Sequence, residues 1–103
     1  MKDEFDNLDL IKNEENDRFE MIVNGQTSFI DYKERNGKIY LVHTEVPGEL
    51  SGQGVASSLI EKTLHYIEEN GCKLVALCPM VVAYIRRHAE WKRILDLKQS
   101  DII

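Results

Sequence analysis

The stretch Thr44-Glu45-Val46-Pro47-Gly48-Glu49-Leu50-Ser51-Gly52-Gln53-Gly54-Val55-Ala56 decides how the rest of the chain is read. Ahead of it, Lys38 to Val46 alternates as a strand, with Ile39, Leu41 and His43 on one face and Tyr40, Val42 and Thr44 on the other. Pro47-Gly48 ends that strand, because proline has no N–H to give to a ladder. Beyond the glycines, Val55, Leu59, Ile60, Thr63, Leu64 and Ile67 recur at helical spacing. Asn70-Gly71 then supplies a left-handed cap. A strand, a glycine turn and a helix from about Gly54 to Asn70 thus follow one another.

Toward the N-terminus, Phe19 to Val23 and Thr27 to Arg35 read as two more strands. Asn24-Gly25 and Asn36-Gly37 join the three, and Asn-Gly is a hairpin dipeptide, so they form an antiparallel meander. Toward the C-terminus, Leu74-Val75-Ala76-Leu77 is apolar at every position, which predicts a central strand covered on both faces. Pro79 opens a second helix with Val81, Tyr84, Ile85 and His88 on one stripe. The crossover through the first helix makes its two flanking strands parallel. The fold class is α/β, one domain over residues 11–103, with residues 1–10 an acidic, mobile lead-in.

The 103 residues are 43% apolar and 30% charged, the balance of an ordinary globular domain. Eight of the acids fall in residues 1–20 against three bases, and the net charge is −5. An acidic total argues against nucleic acid as a partner, which calls for a basic stripe. No apolar run reaches the length of a membrane span and no signal-peptide core opens the chain, so no membrane partner is expected and the cytoplasm is the expected location. Cys72 and Cys78 make neither a disulfide framework nor a zinc site, and no metal is expected. A monomer or weak dimer is expected.

The glycine turn carries the chemistry. Glycines let a ligand approach the backbone, and the free N–H groups at a helix start favour a phosphate. The same turn serves equally as a plain strand-to-helix connection. A dinucleotide fingerprint fits poorly, since Ser57 stands at its third glycine. A P-loop is excluded by the missing Gly-Lys-Ser/Thr.

With Glu45-Val46-Pro47 before it, Gly52-Gln53-Gly54-Val55-Ala56 resembles the coenzyme-A-binding motif of the GNAT acetyltransferases. Cys78-Pro79, Tyr84 and Arg87-His88 narrow the resemblance to very small single-domain GNAT-like proteins, over roughly residues 11–92. The family pattern has Gln or Arg where this chain has Ser51. The resemblance implies a truncated GNAT-like fold that binds acetyl-CoA and transfers its acetyl group to an amine. A lysine-containing peptide or protein is one such acceptor. It implies that Gly52, Gln53, Gly54, Val55 and Ala56 hold the pyrophosphate, with Ser57 nearby. The pantetheine arm would lie along the strand near Val46, where the break at Val46-Pro47 would splay the two parallel strands. Arg86 and Arg87 are candidates for the 3′-phosphate, although Arg86 pairs equally well with Glu90. The reading from another class is a non-catalytic coenzyme-A sensor or interaction module.

Three residues are catalytic candidates. Tyr84 has the position from which a tyrosine protonates the departing thiolate in GNAT-type enzymes, and a phenol of pKa about 10 suits that task. Cys78 closes a strand at a helix start, which favours an anionic sulfur, and is either a nucleophile or a buried apolar filler. Glu45 is a candidate base for the incoming ammonium, with His43 a weaker one; both are also ordinary strand-end residues. His88, one turn after Tyr84, packs against or orients it. Trp91 is expected to anchor the C-terminal segment to the sheet, and Cys72 to be structural.

Overall fold

A computed structural model describes residues 5–103. Five strands form one sheet whose spatial order repeats chain order: β1 (Ile11–Asn13), β2 (Arg18–Val23), β3 (Gln26–Arg35), β4 (Lys38–Glu45) and β5 (Lys73–Ala76). The first four pair antiparallel, and β4 pairs parallel with β5 across helix α1 (Val55–Glu69). Helix α2 (Pro79–Arg87) follows β5, and a turn of helix α3 (Leu97–Ser100) comes near the C-terminus. Asn24 and Asn36 adopt positive φ ahead of Gly25 and Gly37, as the two hairpin turns require. The meander is as expected, with one further strand, β1, at its outer edge.

Alternation in β2 and β3 sends Phe19, Met21, Val23, Ile30 and Tyr32 to one face, where α1 packs over these strands and all five join Leu59, Leu64 and Ile67 of α1 and Val81 and Ile85 of α2 in one core. The opposite face carries Ile22, Val42 and Leu77, exposed among the described residues. Arg18 shields part of it, with its guanidinium 3.8 Å from the Phe29 ring centre and its Nε 3.1 Å from Asp31. At the other edge, Lys12 fastens β1 by bonds to Glu14 and Glu34 over the rings of Tyr32 and Tyr66. Burial pulls its ammonium down, but these partners together hold it above the ordinary lysine value.

Two expectations are corrected. β5 is not central but the last strand, and Leu77, just past its end, is 55% exposed. Its apolar run reflects packing on one face and a covered edge. That cover comes from the C-terminal segment: Leu95 bridges Leu74, Asp96 donates its N–H to Leu74, and the Gln99 amide pairs with Ala76. Trp91 is buried in the core and packs edge-on against His65 of α1, 4.8 Å between ring centres. The lead-in of residues 1–10 lies outside the described residues as far as residue 4. From Phe5 onward it is anchored, with Phe5 buried in the core and Leu8 and Leu10 packed beside it.

Candidate functional site

Strand β4 changes character at its midpoint. Up to Leu41 it pairs with β3 on one side and β5 on the other. Between Leu41 and His43 it carries one extra residue: Tyr32 opposes Leu41, but Asp31 opposes His43. This bulge turns the strand by one position, so Thr44 is buried while Val42 and His43 are exposed. The even alternation expected for Lys38 to Val46 fails here. The two parallel strands part at the same point. The last bonds between them are the N–H groups of Leu77 and Cys78, both donated to the carbonyl of Leu41 at 3.0 and 2.9 Å. From Val42 to Glu45 no strand pairs with the β5 side of β4 among the described residues. The splay expected from Val46-Pro47 is thus made earlier, by the bulge.

Cys78 sits at the apex of this wedge as the residue capping α2. It is 2% exposed, and its Sγ lies 3.3 Å from Thr44 Oγ1, also buried. Glu45 and His43 stand at the exposed end of β4, 3.5 Å apart. Glu45 and Val46 line a cleft of about 320 Å³ with Thr27, Phe29 and Pro47. On the bare face, Val42 and Leu77 flank the wedge and open on a groove of about 790 Å³ that also touches Tyr40.

The turn after β4 starts α1 without a side-chain cap. Gly54, the capping residue, has φ 83° and ψ 9°, and Gly52 has φ 79°, a region that favours glycine. A Cβ at either glycine would meet nothing within 4 Å, so the space above the turn is open. The N–H groups of Val55, Ala56 and Ser57 are the orphan donors of the first helical turn. Gln53 is turned back, donating from Nε2 to the carbonyl of Glu49 at 3.1 Å. The donor set and the open approach fit a pyrophosphate.

Two candidates lie elsewhere. Tyr84 is buried, and its hydroxyl donates to Glu61 Oε2 of α1 at 2.9 Å while its ring stacks on His88 at 4.3 Å. The His88 packing is as expected. Arg87 ends α2 at the far side from Cys78, about 13 Å along the axis by helical rise. The chain beyond it packs on the later half of α1, Trp91 on His65 and Arg93 Nη2 on Glu68 Oε1 at 2.9 Å. Gly52 to Ser57 mark the opposite end of that helix, so Arg87 is not grouped with the turn. Arg86 forms no ion pair with Glu90, whose carbonyl accepts instead from Arg93. Sequence reasoning did not single out Thr44, because its burial depends on the bulge. Among the described residues no group of three or more His, Cys, Asp or Glu is placed to hold a metal. No described helix is long and apolar enough to cross a membrane.

A parallel strand pair splayed by a bulge, with a glycine turn opening the helix between the strands, defines a GNAT fold. The chain belongs to the GCN5-related N-acetyltransferase family, whose model matches residues 18–94. Its fold is similar to the NMR solution structure of a GCN5-like protein from Staphylococcus aureus, with a TM-score of 0.66 and 26% identity. That match covers 88% of this chain and 90% of the other.

Proposed function

We propose that the chain binds acetyl-CoA and transfers its acetyl group to an amine. The observation that carries this reading is the one-residue bulge in β4, which frees one side of the strand beside an uncapped helix start. Amides of Gly52 to Ala56, with the Ser57 hydroxyl, hold the pyrophosphate against the helix dipole. The pantetheine arm lies as a short strand beside Val42 to Val46 and replaces the pairing that β5 has given up. A backbone N–H of this free edge stabilises the thioester oxygen as negative charge develops there. The acceptor arrives as an ammonium, loses a proton to Glu45 or His43 through water, and attacks the carbonyl carbon. The C–S bond breaks as the amide forms, the nitrogen's second proton is passed on to reload the proton donor, and the coenzyme leaves as its thiol after taking up a proton.

The source of that last proton is Cys78 in this reading, because its sulfur stands where the strands part. Tyr84, the other candidate, directs its hydroxyl to Glu61, and Arg87 contributes at most long-range positive charge. The same Tyr84–Glu61 bond favours the second reading, a non-catalytic coenzyme-A sensor, since it ties up the expected acid. Calorimetry tests the shared half: acetyl-CoA should bind, and Gly54→Asp should abolish binding by setting bulk and charge against the phosphates. No heat at millimolar acetyl-CoA sinks both readings. Product formation across a panel of amines and lysine peptides separates transfer from sensing. Within transfer, Cys78→Ala should lower turnover more than Tyr84→Phe, with acetyl-CoA still bound by both; the reverse order returns the acid role to Tyr84.

A further inference from the structure

Lys33 stands apart from the other lysines of the chain. It is exposed near the end of β3, where Ile30 and Tyr32 point into the core and alternation turns Lys33 to the face away from the helices. On that face it lines the groove of about 790 Å³ together with Tyr40, Val42 and Leu77, and it shares a second cleft with Val42 and Asp31. Asp31 is engaged by Arg18, and Lys33 itself forms no ion pair among the described residues. The register fixes its distance from the wedge. Lys33 lies opposite Tyr40, and Val42 follows two residues on. One strand spacing across and two residues along put the Lys33 and Val42 Cα atoms about 8 Å apart. A lysine side chain spans roughly 6 Å from Cα to Nζ, so the amine reaches the mouth of the wedge at Val42. No other described lysine does so. Lys38 and Lys73 share the face but lie four residues before Val42 and Leu77, about 13 Å back along their strands. The remaining described lysines belong to β1 and to the helical segments.

We infer that Lys33 is a self-acetylation site: the chain passes the acetyl group of its bound acetyl-CoA to its own Lys33 Nζ. This rests on the acetyl-transfer reading and adds to it a modification site on the chain itself. The ammonium first gives one proton through water to His43, which is exposed opposite Asp31, two residues from Lys33 along β3. The freed amine attacks the thioester carbon at the edge of Val42. A C–N bond forms and the C–S bond breaks. The nitrogen's second proton passes on to reload Cys78, and the coenzyme leaves as its thiol with the proton that Cys78 gave. Holding amine and thioester in one molecule replaces an encounter in solution, so Lys33 competes well with free amines. The product is a neutral amide, and Lys33 can accept only once. The charged lining of the groove, Glu14, Asp17 and Glu34 against Lys33 and Arg35, then loses one of its two cations. The acetyl group stays beside Val42, at the mouth of the wedge.

The test follows one labelled acetyl group. The full chain is incubated with acetyl-CoA carrying an isotope-labelled acetyl, and intact mass with peptide mapping locates the label. Lys33 should be labelled at least about a hundredfold faster than the exposed Lys73 and Lys98, a small part of what holding two reactants together can give. At saturating acetyl-CoA the rate per chain should not change when the protein is diluted. Lys33→Arg should remove the fast label, and Gly54→Asp, expected to lose the cosubstrate, should slow Lys33 to the rate of the other lysines. Equal labelling of Lys33, Lys73 and Lys98 overturns the proposal. Fast label on Lys33 that persists in Gly54→Asp overturns it as well and marks plain chemical acetylation. A rate that rises with protein concentration also overturns it and assigns Lys33 to the wedge of a second copy. The underlying reading fails separately. If acetyl-CoA binds and an amine of the panel is acetylated while Lys33 stays unlabelled, this proposal alone falls; if acetyl-CoA does not bind, both fall.

Discussion

The two halves of β4 are one strand under two regimes. Lys38 to Leu41 is paired on both sides, and Ile39 and Leu41 are fully buried. Val42 to Glu45 is paired on one side, and three of its four residues are exposed. A single extra residue separates them. The first half is what the sheet needs for stability; the second leaves its backbone valences open on the β5 side. Under the proposed acetyl transfer, site and scaffold therefore divide within eight residues, not between a core and a distant loop.

The contrast is sharpest in Leu41→Ala against Val42→Ala. The first removes a fully buried side chain and should cost about 2–5 kcal/mol in denaturant unfolding. The second should stay within about 0.5 kcal/mol yet weaken acetyl-CoA binding by calorimetry. Equal destabilisation by both would erase the distinction between the halves. Gly54→Ala comes next: with open space around its Cβ, the cost is the left-handed backbone alone, about 1–2 kcal/mol by thermal unfolding. A larger loss would mean that the turn serves the core as well as the ligand.

Thr44→Val probes the junction itself. It removes the hydroxyl facing Cys78 at nearly constant shape and should cost about 1 kcal/mol in urea, since the buried thiol loses its partner. No change would show that the pair is incidental. The smallest effects are those of exposed charge pairs. Hydrogen bonding to Asp96 raises Lys38, so its stabilising effect is complete below the ordinary lysine value and is lost as pH rises through the raised one. Hydrogen bonding to Arg93 lowers Glu68, so its effect is present above the ordinary glutamate value and is lost as pH falls through the lowered one. Both pairs are screened by water, and salt should flatten each limb of a stability–pH curve.

Local chemistry explains how far the sequence could be read. Asn24-Gly25 and Asn36-Gly37 dictate their turns, and Pro47 and Pro79 mark where strand ends and helix begins, so most elements were legible. The bulge was not, because Ile39 to Thr44 reads as unbroken alternation and only the partner strand shows the slip. β1 is three residues held by Lys12 to groups remote in sequence, and its own pattern is too short to see. In the candidate site, the glycine turn and Cys78 were visible from neighbours along the chain. The partners of Tyr84 and Gln99 were not, since Glu61 and Ala76 lie 23 residues from them and no periodicity links them.

The sheet's order, β1 to β5 in unbroken succession, also sets a timetable. Each of the first four strands needs only a short turn to reach its neighbour, so these pairings cost little loop-closure entropy and are expected to nucleate early. The β4–β5 ladder must wait for the whole of α1 to be threaded between, which makes it the latest pairing to close. During synthesis and refolding, the wedge and its cysteine are then the last part of the sheet to exist, and the apolar Leu74–Leu77 edge is the surface that stays open to misassociation longest.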